Sequence, residues 1–207
     1  AGVGKRQRVF DGVTTWLTFL GQCLASDNSC RSALAQARAA GILSPKASIH
    51  TGAYCQARDR LPEAELRQIA VGLGAKLSEA ETQTERWHGR RVLAVDGSSV
   101  SMPDTPANQV VYPQPSVQAA GCGFPVMYLC TLLSLASGAL LDFAHGSGNG
   151  NELTLWRQLW DLLRCGDIVV GDSKYSSYAD LALLQARGVD VVARLGRRLT
   201  DFRKGRI

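Results

Sequence analysis

Two short apolar runs in the second half of the sequence each end in an aspartate, and they restrict the possible fold more than any other feature. Residues 92–95 lead directly into Asp96, and residues 168–171 lead into Asp172. Apolar runs of this length, bounded by Gly or Asp, are typical of buried β-strands. If the two strands are parallel neighbours, both carboxylates lie at the carboxyl edge of one sheet, where open α/β sheets place their ligands.

Two carboxylates at such an edge repel each other unless a cation lies between them. Hard divalent cations such as Mg²⁺ or Mn²⁺ prefer carboxylate oxygen, so the pair predicts a metal site at Asp96 and Asp172. A structural role stays open for each residue alone, because Asp-Gly is a common turn dipeptide and aspartate before a helix is a common N-cap.

The composition is that of a globular protein with a positive charge. The chain has 207 residues, of which 45% are hydrophobic and 20% charged, and a formal net charge of +5. A basic balance favours a polyanionic partner. The six cysteines form no C-x-x-C pair, which predicts reduced thiols in a cytosolic protein. No apolar segment reaches the roughly eighteen residues of a membrane span and no signal peptide is found, so no membrane association is expected.

Several enzyme classes lack their motifs in this sequence. It contains no G-x-x-x-x-G-K-[ST] phosphate loop, no G-x-S-x-G nucleophile elbow and no H-E-x-x-H metal helix. Nucleotide hydrolysis by a phosphate loop, serine hydrolysis and zinc proteolysis therefore have no support.

The periodicity of apolar residues changes near residue 89 and predicts two domains, residues 1–88 and 89–207. Four helices are predicted in the first, over about residues 12–25, 29–41, 48–60 and 62–77. The last of these has an apolar face of Leu66, Ile69, Ala70, Leu73 and Leu77. Loop arginines such as Arg58 suit contacts with DNA phosphates. A helical cap over a core, with its charges merely solvated, explains the same pattern, and both interpretations stay open.

The second domain is predicted to begin with antiparallel strands and to continue with helices that each connect one strand to the next. After the strand that ends at Asp96, an irregular loop is expected over residues 101–123, then a hairpin over 125–143 and a glycine-rich loop from His145. A helix over 151–164, the strand that ends at Asp172, a helix over about 177–187 and a last strand over 189–195 follow. This order predicts an α/β fold, a ribonuclease H-like mixed sheet with flanking helices, preceded by an all-helical N-terminal region.

Three motifs that together span nearly the whole chain resemble the DDE transposases of bacterial insertion sequences, particularly the insertion-sequence-four family. They are LAVDGSSVSMPDT, then HGSGNGNELTLWRQLWDLLRCGDIVVGDSKYSSYADL, and the helical start WLTFLGQCLASDNSC with TGAYCQARDRLP. The resemblance implies that Asp96 and Asp172 are the first and second metal-binding acids, with Mg²⁺ or Mn²⁺ as cofactor. The third acid of the family is a glutamate on a later helix. No glutamate follows Asp172, so the resemblance predicts a catalytic domain that lacks its C-terminal part.

The activity implied by the resemblance is that of a DNA transposase, which cleaves phosphodiester bonds at transposon ends and joins them to target DNA with two metal ions. The implied partner is double-stranded DNA, with a homodimer on that DNA, in a bacterial cytoplasm and associated with the nucleoid. Two alternatives stay open. One is a truncated, catalytically incomplete DNA-binding regulator of transposition, and the other is a ribonuclease H-like nuclease that uses Asp96, Glu152 and Asp172.

Glu152 and the basic residues near the acids are further candidates. Glu152 lies on the first turn of the helix between the two acidic strands, where ribonuclease H carries a metal-binding glutamate. Stabilisation by the helix dipole is the favoured alternative, and an indirect role beside the metal lies between the two. Lys174 and Tyr175 are candidates to hold a phosphate and stack on a base, or are a solvated lysine and a packed tyrosine. Arg197 and Arg198 belong to a basic stretch that suits DNA or an ordinary exposed terminus.

Overall fold

The computed structural model describes residues 8–119, 121–148 and 152–194. The contacts of the chain form two compact units that divide between Arg67 and Gln68. The division falls within helix α4 (Glu63–Glu79), earlier in the chain than the division predicted after residue 88. The reason lies in Gly74, whose Cα lies so close to the backbone carbonyl of Leu140 that a Cβ would overlap it. The second half of α4 therefore packs with the sheet.

Three helices form the first unit: α1 (Gly12–Leu24), α2 (Cys30–Ala39) and α3 (Thr51–Arg58). The side chains of Asp11 and Ser29 cap the first two by accepting backbone N–H groups of the first turn, as predicted for Ser29. The buried residues of this unit include Phe10, Leu34, Leu43 and Tyr54.

Helix α1 turns a polar side towards this core. Thr15, Thr18 and Gln22 are buried, whereas Val13 and Leu24 on the same helix are exposed by 69% and 79%. Burial of the polar side is tolerated because its groups are bonded: Thr18 Oγ1 donates to the carbonyl of Thr14 at 2.7 Å, and Gln22 Oε1 accepts the Tyr54 hydroxyl at 2.7 Å.

The second unit is built on a five-stranded mixed sheet with the order β3-β2-β1-β4-β5. Its elements after α4 are β1 (Val92–Ser101), α5 (Pro106–Val111), β2 (Val126–Ser134), β3 (Leu140–Ser147), α6 (Glu152–Arg157), β4 (Ile168–Gly171), α7 (Tyr178–Ala186) and β5 (Asp190–Ala193). Strands β1, β2 and β3 are antiparallel, and β1, β4 and β5 are parallel. The ribonuclease H-like class and the parallel pairing of the two acidic strands are thereby confirmed.

Three local predictions are corrected by this structure. The region 101–123 contains the short helix α5, because Thr105 caps it and Pro106 occupies its first turn. Strand β3 continues to Ser147, so His145 pairs with Leu129 within the sheet instead of lying in a loop. The helix expected over 151–164 ends at Arg157 and is followed by a separate 3-10 turn, Trp160–Leu162.

The predicted apolar face of α4 does not enter the core. Ile69, Leu73 and Leu77 are exposed by 47%, 58% and 46%, and the buried residues of the helix are Gly74 and Ser78. A helix that approaches a strand backbone closely must turn its small residues to the contact, and α4 does so at Gly74. Among the described residues, no helix is long and apolar enough to cross a bilayer.

The sheet core lies on the face that α6 covers. It includes Leu93, Val95, Leu132, Trp156 and Leu184, each at most 3% exposed. The cysteines are all free thiols, and only Cys130 belongs to this core.

A buried ion pair joins β1 to β4 at their amino ends. Arg91 Nε donates to Asp167 Oδ1 at 2.9 Å and its NH2 group donates to Oδ2 at 2.5 Å. The two side chains are only 9% and 4% exposed. The Arg164 backbone N–H donates to the same Asp167 carboxylate at 2.8 Å, so both carboxylate oxygens are bonded. Because Arg91 and Asp167 each precede a strand by one residue, this bidentate contact sets the register of the parallel pair.

We expect Asp167→Asn to lower the free energy of unfolding by about 3–5 kcal/mol, because it leaves the Arg91 guanidinium buried without an anion. The matched control is Asp190→Asn, which breaks the ion pair that Arg90 makes at 2.6 Å with a carboxylate 62% exposed. That change should cost less than about 1 kcal/mol. Equilibrium unfolding in urea measures both, and equal losses would contradict the assigned role.

Candidate metal centre

Asp96 and Asp172 lie side by side at the carboxyl edge of the sheet. The parallel ladder pairs Ala94 with Val170. One residue further, a Cβ on Gly171 would lie 2.9 Å from Cγ1 of Val95, so the two chain segments are still neighbours at the point where Asp96 and Asp172 follow. Adjacent strands are about 4.8 Å apart, so the structure brings together the two residues that the sequence predicted.

Both aspartates are exposed and hold a local backbone bond. Asp96 Oδ1 accepts the N–H of Gly97 at 2.9 Å. Asp172 begins the 3-10 turn Ser173–Tyr175, and its Oδ1 accepts the N–H of Lys174 at 2.8 Å. In each carboxylate these bonds orient one oxygen, and within the described residues the other oxygen has no hydrogen-bond donor.

Glu152 approaches the same edge from helix α6. Its Oε1 accepts the Tyr175 hydroxyl at 2.8 Å and its Oε2 accepts the Lys174 ammonium at 2.7 Å. The carboxylate lies directly against the Cα of Gly97, where a Cβ would overlap it. The glycine after Asp96 is therefore required for close approach of Glu152, in addition to any role in the turn.

Lys174 lies in the negative potential of all three acids. The hydrogen bond and the charge of Glu152 raise the pKa of Lys174 above its ordinary value, and the charges of Asp172 and Asp96 add to the rise. The lysine side chain is 65% exposed, so solvent weakens this attraction. The three carboxylates therefore attract a positive charge to the position of the Lys174 ammonium.

Tyr175 supports the edge from inside. It is 1% exposed, and its ring contacts Trp156 edge-on with centroids 6.1 Å apart. Burial, followed by the hydrogen bond to Glu152, raises the pKa of its hydroxyl, which keeps it a neutral donor. Burial likewise raises the pKa of the neighbouring Cys130 thiol to about 11. The predicted stacking of Tyr175 on a base is corrected, because the packed ring offers no face to a DNA base.

The residues at this edge fit a divalent cation in their chemistry. Carboxylate oxygens are the donors that Mg²⁺ and Mn²⁺ select, and a cationic ammonium already lies among them. Within residues 8–119, 121–148 and 152–194, no three His, Cys, Asp or Glu side chains form a ready-made ligand group. The Asp96 and Asp172 pair with Glu152 beside it is thus a partial set.

The other candidate residues have different surroundings. The Arg58 guanidinium lies over the rings of Phe19 and Tyr54 at 5.5 and 5.4 Å and donates to Gln22 at 3.1 Å, so it is engaged in packing the first unit. Arg197 and Arg198 lie outside the described residues. His145 Nδ1 lies 3.0 Å from the Tyr112 hydroxyl.

Sequence reasoning missed Gly97 as a residue that makes room for Glu152, and it missed the Arg91–Asp167 pair. The signal for the pair was present. Arg91 is five residues before Asp96, and Asp167 is five residues before Asp172. Two residues of opposite charge therefore precede the two acids by the same number of positions.

Comparison with known proteins assigns the family. Residues 87–206, more than half of the chain, match the model of the transposase DDE domain. The chain is 28% identical over 201 residues to the transposase for insertion sequence element IS231B of Bacillus thuringiensis subsp. berliner. This alignment covers 94% of the chain and 40% of the relative. It is also 29% identical over 134 residues to the transposase InsG for insertion sequence element IS4 of Escherichia coli strain K12. That alignment covers 65% of this chain and 29% of the relative.

Among solved structures, the piggyBac transposase in its synaptic complex with hairpin DNA aligns with 99% of this chain and 47% of its own length, at a TM-score of 0.49 and 9% identity. The chain spans less than half the length of each of these three proteins. Because the family model matches most of the second unit, including both edge aspartates, the chain belongs to the transposase DDE domain family, of the type found in insertion sequence IS4.

Proposed function

We propose that this chain contributes Asp96 and Asp172 to a divalent-metal site that cleaves phosphodiester bonds at transposon ends and joins those ends to target DNA. The observation that supports it most directly is the parallel pairing of β1 with β4 up to Ala94 and Val170, two residues before Asp96 and Asp172. The relatives that match the chain are transposases, and a basic net charge suits a DNA partner.

The metal ions, when bound, supply Lewis acidity to the attacking oxygen and to the leaving 3′ oxygen. The chain's own residues bind and orient. Asp96 and Asp172 each offer one carboxylate oxygen to a cation while the other oxygen is held by a backbone N–H. Lys174 is exposed and cationic next to the site, so it is placed to contact a DNA phosphate once a metal ion neutralises the acids.

Under this proposal the first unit would contact DNA, and the homodimer on DNA and the nucleoid association stay predictions from the family resemblance. The DNA-binding regulator is the outcome in which the chain binds an end-bearing duplex and leaves it uncut. The third family acid is not among the residues after Asp172, so cleavage by this chain alone is the direct test.

A second candidate is the nuclease that uses Asp96, Glu152 and Asp172, and the position of Glu152 favours it. The Glu152 carboxylate lies against Gly97, the residue after Asp96, and is 19% exposed. A glutamate that served only the helix dipole would need no such contact. In the transposase proposal Glu152 is a positioning residue that holds Lys174 and Tyr175.

We expect Asp96→Asn and Asp172→Asn each to lower metal-dependent nicking of an end-bearing duplex by about 100-fold or more, because a neutral amide is a poor ligand for a hard cation. Duplex binding without metal should change less than about twofold. The matched control is Asp104→Asn, which alters an exposed acid bonded to Gln109 outside the edge. Unchanged Mn²⁺ affinity in both edge variants, measured by calorimetry, would exclude the site.

We expect Glu152→Gln to lower nicking by about tenfold, less than either aspartate variant, because it loosens Lys174 and removes no ligand. The control Glu65→Gln changes a first-turn glutamate of α4 and so measures a helix-dipole effect alone. Gly97→Ala, whose Cβ displaces the Glu152 carboxylate, should reproduce the Glu152→Gln effect. A loss as large as that of Asp96→Asn, together with weaker Mn²⁺ binding, would instead establish the nuclease arrangement.

A further inference from the structure

A cavity of about 320 Å³ in the second unit is lined by three arginines, Arg86, Arg91 and Arg164. It lies at the amino end of β1 and β4, since Arg91 precedes β1 and Arg164 precedes β4. Arg91 is five residues from Asp96, or about 16 Å along a strand. The cavity is therefore separate from the acidic edge.

The positive charge of this cavity is only partly compensated. Arg91 is paired with Asp167, whereas the side chains of Arg86 and Arg164 have no ion-pair partner among the described residues. Glu79 is the one acid among the described lining residues, and it makes no ion pair with either arginine there. The cavity thus carries an excess of guanidinium groups.

Arg86 supplies a second and independent observation. Its Nε is buried and has no hydrogen-bond acceptor within the part of the chain that the structure describes. A buried donor without an acceptor costs free energy, and this cost is larger for a charged group. Among the described residues, the Arg86 Nε makes no bond that would stabilise the fold. The Arg91 side chain, by contrast, joins two strands through its bonds to Asp167. Arg86 also lines the cavity, so an anion bound there would compensate its positive charge.

We propose that this cavity binds a phosphate group. Guanidinium groups bind phosphate through planar, paired donors, and a tetrahedral phosphate presents oxygens to several guanidiniums at once, whereas a carboxylate presents two oxygens in one plane. The remaining wall is largely apolar, with Val71, Ala75, Leu141 and Leu162. A volume of about 320 Å³ is at the small end of ligand pockets and suits a phosphate that carries a sugar.

The test is calorimetric titration of the full chain with inorganic phosphate and with deoxyadenosine monophosphate at low ionic strength. Arg86→Gln and Arg164→Gln should each weaken binding about tenfold, since each removes a charged donor. Arg31→Gln, which changes an exposed arginine of α2, is the matched control and should leave the affinity within about twofold. The Arg86 Nε–H resonance should shift on addition of phosphate in the parent chain.

Duplex DNA with 5′-phosphate or 5′-hydroxyl ends then identifies the source of the phosphate. Competition by the phosphorylated duplex alone assigns the cavity to a DNA end, and absence of competition with retained nucleotide binding assigns it to a free nucleotide. Phosphate affinity that is equal in Arg86→Gln, Arg164→Gln and the parent chain would overturn the proposal, as would no measurable binding to a folded parent chain. Metal-dependent nicking serves as the separate readout, because Asp96→Asn should lower it by about 100-fold or more and leave phosphate binding unchanged.

Discussion

The buried contact between Arg91 and Asp167 is the interaction on which the acidic edge of the sheet depends. Parallel strands from distant parts of a chain have no turn to fix their register, and a shift by one residue would turn every side chain to the other face. A bidentate ion pair below the first ladder pair removes that freedom. Asp96 and Asp172 follow this ion pair by five residues each, and the parallel ladder is observed up to Ala94 and Val170, two residues before them.

The sheet consequently has two ends of opposite charge. The carboxyl edge gathers Asp96, Asp172 and Glu152, and the Lys174 ammonium forms an ion pair with Glu152 there. The amino end gathers guanidinium groups around a cavity, with one aspartate buried among them. Charges of the same sign are thus brought together at each end, and each group requires a counter-ion from outside or from the chain itself.

Much of the architecture followed from apolar periodicity alone, because strands and amphipathic helices expose their period in the sequence. The order of strands and helices, the parallel acidic strands and the caps of α2 were predictable. Helix α4 was predicted at the right place in the chain, but its buried side was not, since its apolar side is exposed and Gly74 makes the close contact with Leu140. Helix α5 was also missed, because four prolines in its region suggested a loop, although Thr105 and Pro106 are a good helix start.

The amino-acid sequence by itself indicated the two candidate metal-binding residues, because an acid at the end of an apolar strand is visible in the chain as a local pattern. The tertiary structure decided which other residues meet those acids. Glu152 reaches the edge through the absence of a side chain at Gly97, and Tyr175 is held inside against Trp156. Such contacts join residues far apart in the chain, and they depend on strand register and helix position, which no local pattern encodes.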